Sequence, residues 1–261
     1  MFTLLDLMQP STIDEAYQLL MAKRNNTVLG GCAFLRLGSS RIGTGIELSK
    51  LPLDYIMEQE DYIEIGAMTT FRELETSTVL KQYFNGILPQ AVSNIIGVQF
   101  RNVVTVGASV FSRYGFSDLI TALLTLDTEV ELYKGGRMPL AEFLVKKYEK
   151  DLLTRVFIKK EQRIASYQNM RNSASDFPLV NVAVSCYQNQ WRIVAGATPA
   201  PAKIAKRASL LLEKNLAIDD AADLAVEELV FGSNARATAE YRKAICKVLI
   251  KRGIEEVLQW R

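Results

Sequence analysis

The chain has 261 residues, 49% of them hydrophobic, which suffices for one or two domains with buried cores. Lys plus Arg (31) and Asp plus Glu (29) nearly cancel to +2, so no chain-wide charge draws it to nucleic acid or anionic lipid. With His 0 and Cys 3, Ser-His-Asp and Cys-His catalysis, an H-E-x-x-H zinc site and a self-ligated [2Fe–2S] cluster are all excluded. If such a chain handles electrons, it does so through a bound organic cofactor.

Met1 to Met21 carries Asp6, Asp14 and Glu15 but no Lys or Arg, unlike a signal peptide. No run approaches the ~18 apolar residues of a membrane span, and the odd cysteine count fits reduced thiols. These features read as a cytoplasmic chain. Ser11 and Thr12 precede Ile13, Ala16, Tyr17 and Leu20 at helical spacing, a capped amphipathic helix. Thr27-Val28-Leu29 reads as a buried strand that stops on Gly30-Gly31. Tyr62 to Ile65 alternates as a strand, and Thr69 or Thr70 caps a short helix through Phe71, Leu74 and Glu75. Asn102 to Val106 is a second β-branched run, again ending on a glycine, Gly107. Ser117-Asp118 opens a buried helix over Leu119 to Leu126, and Val130 to Tyr133, Gly135-Gly136 and Met138 form a hairpin. The charged stretch Lys159 to Arg163 is linker-like. Beyond it Val180, Val182, Val184 and Cys186 alternate against Asn181, Ala183, Ser185 and Tyr187, turn at Gln188-Asn189-Gln190 and return through Trp191 to Ala195. That pattern predicts an antiparallel hairpin with one buried face. After Pro199 and Pro201 the remainder reads as helical. Two α+β units with a boundary near residue 160 result.

Two glycine bends interrupt apolar segments: Gly30-Gly31-Cys32-Ala33 and Thr105-Val106-Gly107-Ala108-Ser109. Glycine lets neighbouring N–H groups converge on an anion and lets that anion come close. Neither bend is G-x-G-x-x-G, and no P-loop occurs, so a Rossmann or Walker site is unsupported. Both bends read equally as plain strand-end turns. Asp118 caps the helix it opens or accepts hydrogen bonds from ligand hydroxyls. Arg101 meets a phosphate or an ion-pair partner. Cys32 is a reactive thiol or a small buried hydrophobe, and Lys203, Lys206 and Arg207 form a solvated basic face.

In order, Val28-Leu29-Gly30-Gly31-Cys32-Ala33-Phe34-Leu35, Ile65-Gly66-Ala67, Gln99-Phe100-Arg101-Asn102-Val103-Val104-Thr105-Val106-Gly107-Ala108-Ser109 and the later Asp118 resemble the FAD-binding medium subunit of the molybdenum hydroxylases. This is the family of xanthine dehydrogenase and aerobic carbon monoxide dehydrogenase. Arg236-Ala237-Thr238-Ala239-Glu240-Tyr241-Arg242 is similar to that family's C-terminal R-x-S-x-E-Y-R, so the resemblance spans the whole chain. It implies an α+β fold: a two-lobed FAD-binding domain of the PCMH/vanillyl-alcohol-oxidase type over residues 1–160 (lobes about 1–55 and 56–160). A smaller α+β domain of antiparallel sheet plus helices follows over 161–261. It implies FAD contacts from Leu29, Gly30, Gly31, Cys32, Ala33 and Phe34, from Thr105, Gly107, Ala108 and Ser109, and from Asp118, Leu153 and Gln168. No catalytic side chain and no metal site are implied. Implied partners are a [2Fe–2S] subunit, a molybdopterin subunit and a soluble acceptor such as NAD⁺ or a quinone. The chain departs from the family at Cys32 (usually Thr or His), Ala108 (the second glycine), Ser109 (Asn) and Gln168 (often Lys or Arg). If position 108 requires positive φ, its alanine costs about 1–2 kcal/mol. Two further readings are a non-catalytic assembly subunit that has lost flavin and a stand-alone flavin oxidase.

Overall fold

Local chemistry sets the first elements. Thr12 Oγ1 accepts the Glu15 N–H at 3.1 Å while the Glu15 carboxylate accepts the Ser11 N–H at 2.7 Å, a reciprocal cap that starts a helix at Ile13. Thr70 and Glu73 repeat the device before Phe71. The computed structural model describes residues 1–214 and 217–261. In chain order it contains β1 (Thr3–Met8), α1 (Ile13–Ala22), β2 (Thr27–Leu29), β3 (Arg41–Glu47), β4 (Ile56–Glu58) and β5 (Tyr62–Gly66). Six helices follow: α2 (Phe71–Thr76), α3 (Thr78–Gln82), α4 (Ile87–Ser93), α5 (Val98–Arg101), α6 (Val106–Phe111) and α7 (Asp118–Thr125). Then come β6 (Thr128–Leu132), β7 (Gly136–Pro139), α8 (Leu140–Val145), β8 (Leu153–Lys159), β9 (Ile164–Arg171), β10 (Pro178–Tyr187), β11 (Gln190–Gly196) and β12 (Lys203–Ile204). The chain closes with α9 (Lys206–Lys214), α10 (Ile218–Glu228) and α11 (Ala239–Gln259). The expected C-terminal helices are these three; residues 215 and 216 of that region lie outside the described residues.

Two units interleave along the sequence. The first comprises Met1–Glu73, Gly97–Ser112 and Thr128–Ile158. It holds a parallel three-stranded sheet in the order β1-β3-β2, with α1 burying Ala16 and Leu20 against Ile46, Leu48, Leu51 and Leu152. A second sheet runs β4-β5-β8-β6-β7. The strand expected over Asn102 to Val106 does not form. Its residues make a turn after α5, Thr105 has only an isolated bridge to Thr70, and α6 begins at Val106. The backbone bonds go elsewhere: Val106 N–H donates to Thr69 O at 2.9 Å, and Gly107 N–H to Ala67 O at 2.8 Å. A polar N-cap outweighs β-propensity here, because Thr105 Oγ1 accepts the Ala108 N–H.

The second unit comprises Leu74–Ile96, Arg113–Asp127 and Lys159–Arg261. Its antiparallel sheet has the order β12-β11-β10-β9. Val180, Val182, Val184 and Cys186 pack with Trp191 and Ile193 against α9, α10 and α11. The opposite face of β10 is covered as well, contrary to the one-sided hairpin expected from alternation. Helix α7 lies there, and Thr121 Oγ1 donates to Asn181 Oδ1 at 2.9 Å while Ser185 Oγ donates to Thr125 O at 2.7 Å. Polar residues at alternate positions therefore satisfy a helix and not water. Among the described residues no helix is long and apolar enough to cross a membrane, and no group of His, Cys, Asp and Glu is arranged to hold a metal.

Candidate functional site

In the first unit, β2 delivers the chain to the Gly30-Gly31 bend. A methyl group on Gly30 would lie 2.4 Å from Ala108 Cβ and 2.8 Å from Thr105 Oγ1. One on Gly31 would lie 1.8 Å from the carbonyl oxygen of Val103, and Gly31 has φ +77°. The two bends singled out by sequence are thus in direct contact, and bare glycine is what lets the first seat itself on the second. Cys32 follows at φ 55°, and the chain then enters a single 3₁₀ turn over Leu35–Leu37. Arg36 N–H and Leu37 N–H bond to Cys32 O and Phe34 O. Among the described residues, the N–H groups of Gly31, Cys32 and Ala33 donate to nothing. Three free donors in a row on a bend without bulky cover suit an anion.

The second bend differs from expectation. Its amides are spent within the chain: Val106 on Thr69 O, Gly107 on Ala67 O, Ala108 on Thr105 Oγ1 and Ser109 on Thr105 O. It offers side chains only, chiefly the Ser109 hydroxyl, which has no partner among the described residues. Gly107 is needed for packing, since a Cβ there would lie 2.7 Å from Ala67 Cβ. Ala108 lies inside α6 with no positive φ, so the strain anticipated for an alanine at this position is absent. Leu29 is buried at the end of β2, and Leu153 is buried at the start of β8. Next to Leu153, Thr154 O accepts the Ala67 N–H at 2.9 Å, one link from Gly107. Burial pushes the Cys32 thiol above its ordinary range, which keeps it protonated and poorly nucleophilic at neutral pH.

Asp118 and Gln168 belong to the second unit. Ser117 is the N-cap of α7, its Oγ accepting the Ile120 N–H at 3.2 Å, so Asp118 is released from capping. The Asp118 carboxylate is buried and accepts three bonds on the same oxygen, Oδ1. The donors are Tyr167 Oη, Arg171 Nη2 at 2.6 Å and Asn181 Nδ2 at 3.4 Å. Burial pushes the Asp118 carboxyl up from its usual range, and the Arg171 guanidinium pulls it back. Burial beside that carboxylate holds the Tyr167 phenol well above its ordinary value, hence protonated and donating. Gln168 is not brought to Asp118. It faces α11 on the other side of the sheet, where its amide donates to Glu256 Oε2 at 2.6 Å and to Ser166 Oγ at 3.2 Å. Sequence reasoning missed Arg171 and Asn181 because nothing local marks a residue whose partner lies on another element.

The model for the FAD-binding domain in molybdopterin dehydrogenase matches residues 2–160, more than half of the chain. The chain belongs to this family. The model for the CO dehydrogenase flavoprotein C-terminal domain matches residues 165–257. The nicotine 6-hydroxylase medium subunit of Paenarthrobacter nicotinovorans is 24% identical over 95% of this chain and 95% of its own length. Among solved structures, quinoline 2-oxidoreductase from Pseudomonas putida 86 superposes with TM-score 0.89 at 20% identity, covering 98% of this chain and 97% of the other. Reconstituted CO dehydrogenase from Oligotropha carboxidovorans gives 0.88 at 21%, covering 97% and 96%. The α+β, two-domain fold class is that of the CO dehydrogenase FAD subunit, and the chain is a flavoprotein subunit of a xanthine dehydrogenase-like oxidoreductase complex with FAD as its cofactor. The free amides of the first bend fit that cofactor's diphosphate; the second bend fits through side chains alone.

Proposed function

We propose that this family member holds FAD to relay electrons inside a molybdenum hydroxylase, receiving them from a [2Fe–2S] subunit that a molybdopterin subunit feeds. NAD⁺, a quinone or another soluble acceptor drains them, in the cytoplasm. Residues 1–160 serve as the FAD domain and 161–261 as the C-terminal domain. The observation that carries this reading is the contact between the two glycine bends, which leaves the Gly31, Cys32 and Ala33 amides unpaired.

When bound, FAD supplies hydride and one-electron chemistry, so the protein is asked to bind and orient it. The Gly31, Cys32 and Ala33 N–H groups hold the diphosphate, each bond to a charged partner being worth about 1.5–3 kcal/mol. Ser109 and Thr105 add hydroxyl contacts from the second bend. Leu29, Gly30, Phe34, Gly107, Ala108 and Leu153 support those two segments through packing, and Asp118 accepts from a cofactor hydroxyl. With no histidine in the chain, no imidazole moves protons here.

Purified protein should be yellow, bleach with dithionite and release FAD, not FMN, on denaturation. A colourless protein that takes up no flavin when FAD is added would refute the proposal and favour a flavin-free assembly subunit.

A further inference from the structure

We propose that Arg171 and Tyr167 are positioning residues, which turn the Asp118 carboxylate so that Oδ2 is presented to a hydroxyl of the cofactor; this rests on the FAD reading above. A guanidinium beside a carboxylate commonly bonds both oxygens in a fork. Here Arg171 takes only Oδ1, and so do Tyr167 and Asn181. Arg171 is not at liberty to swing. Its Nε donates to Asn169 Oδ1 at 3.0 Å and its Nη1 to Asp176 O at 2.5 Å, which fixes the plane of the fork. The Tyr167 ring is buried in β9, and its backbone carbonyl is held by Gln90 Nε2.

Oδ2 is left with no partner among the described residues, on a side chain only 6% exposed. It is not one of the sealed unpartnered atoms among the described residues, so the exposed remnant of the side chain opens Oδ2 to solvent, where a ligand hydroxyl can reach it. Ser117 has already taken the capping role, so helix α7 makes no claim on the carboxylate. The titratable groups facing it are Tyr167 and Arg171 from β9; β10 contributes the neutral Asn181, and α4 carries no ionisable residue.

The test compares wild type with Tyr167→Phe and Arg171→Lys. It measures FAD dissociation constants by flavin fluorescence across pH, together with thermal unfolding of the apoprotein. Tyr167→Phe should weaken FAD about fivefold. It should also move the acid limb of binding to higher pH, because the ionised Asp118 loses a donor. Arg171→Lys, which keeps the charge but not the fork, should retain part of the affinity and serves if the phenylalanine variant folds poorly. Weakening that carries over to FMN assigns the hydroxyl to the ribityl chain, and weakening that carries over to ADP assigns it to the ribose. Lower unfolding temperatures with unchanged FAD affinity and an unshifted pH profile would overturn the positioning role while leaving the FAD reading intact. A wild-type protein that binds no FAD would overturn both.

Discussion

Gly31→Ala probes the seat of the first bend more sharply than any other change. The new methyl would sit 1.8 Å from Val103 O, a main-chain atom, so the two segments must separate by at least about 1 Å before the contact becomes tolerable. The left-handed φ of +77° adds about 1–2 kcal/mol for any L side chain. Overpacking of this kind costs about 1–3 kcal/mol more, so the sum is roughly 2–5 kcal/mol. For a chain of this size that lowers Tm by roughly 5–15 °C. Gly30→Ala makes a different clash, 2.4 Å to the side chain of Ala108, which the second substitution Ala108→Gly removes, leaving Thr105 Oγ1 at 2.8 Å. Differential scanning fluorimetry of the apoprotein and FAD titration of the single and double variants read both quantities. Gly30→Ala should be partly rescued by Ala108→Gly, whereas Gly31→Ala should not. Wild-type stability and FAD affinity in Gly31→Ala, or equal rescue of both variants, would refute the proposed contact between the bends.

Other outcomes follow from the same geometry. Asp118→Ala strands the buried Arg171 guanidinium without its carboxylate and should cost about 3–5 kcal/mol in urea unfolding, so its effect is not confined to cofactor binding. Ala108→Gly alone should lose up to about 1 kcal/mol of helix stability and should not tighten FAD, because no strain is present to relieve. With a thiol reagent at pH 8, the partly exposed Cys32 should react in the native protein, but more slowly than a free thiol because burial raises its pKa. Cys186 and Cys246 should react only after unfolding; the Cys246 thiol is pushed up to about 12 by complete burial.

Where a signal was local, the sequence carried it. Thr12 before Ile13, the short apolar run Thr27-Val28-Leu29 and the Gln188-Asn189 turn, both of whose residues have positive φ, each lie within a few positions of the element they define. Misreadings arose where distant partners decided. Asn102 to Val106 has strand composition, yet the Asn102, Val103 and Val104 amides bond back to α5, the Val106 amide goes to Thr69 O and Thr105 caps a helix. Ser185 and Asn181 read as solvent-facing until α7 is placed over them. Gly43 and Gly45 concealed β3 because alternation with glycine leaves only Ile42, Thr44 and Ile46 to carry the period. For the candidate site, the two glycine bends were legible as segments, and the structure brings them into contact. Which amides are free and which oxygen of Asp118 is open depend on bonds made across the fold.

The Gly31 bend rests on main chain contributed by Val103, a residue made much later during synthesis. A nascent polypeptide that has emerged only through β5 carries the unpaired Gly31, Cys32 and Ala33 amides but not the ledge on which their bend rests. If those amides hold the diphosphate as proposed, cofactor capture waits until the ribosome has passed α6, and a translation product truncated before that point should remain colourless however much flavin the cell contains.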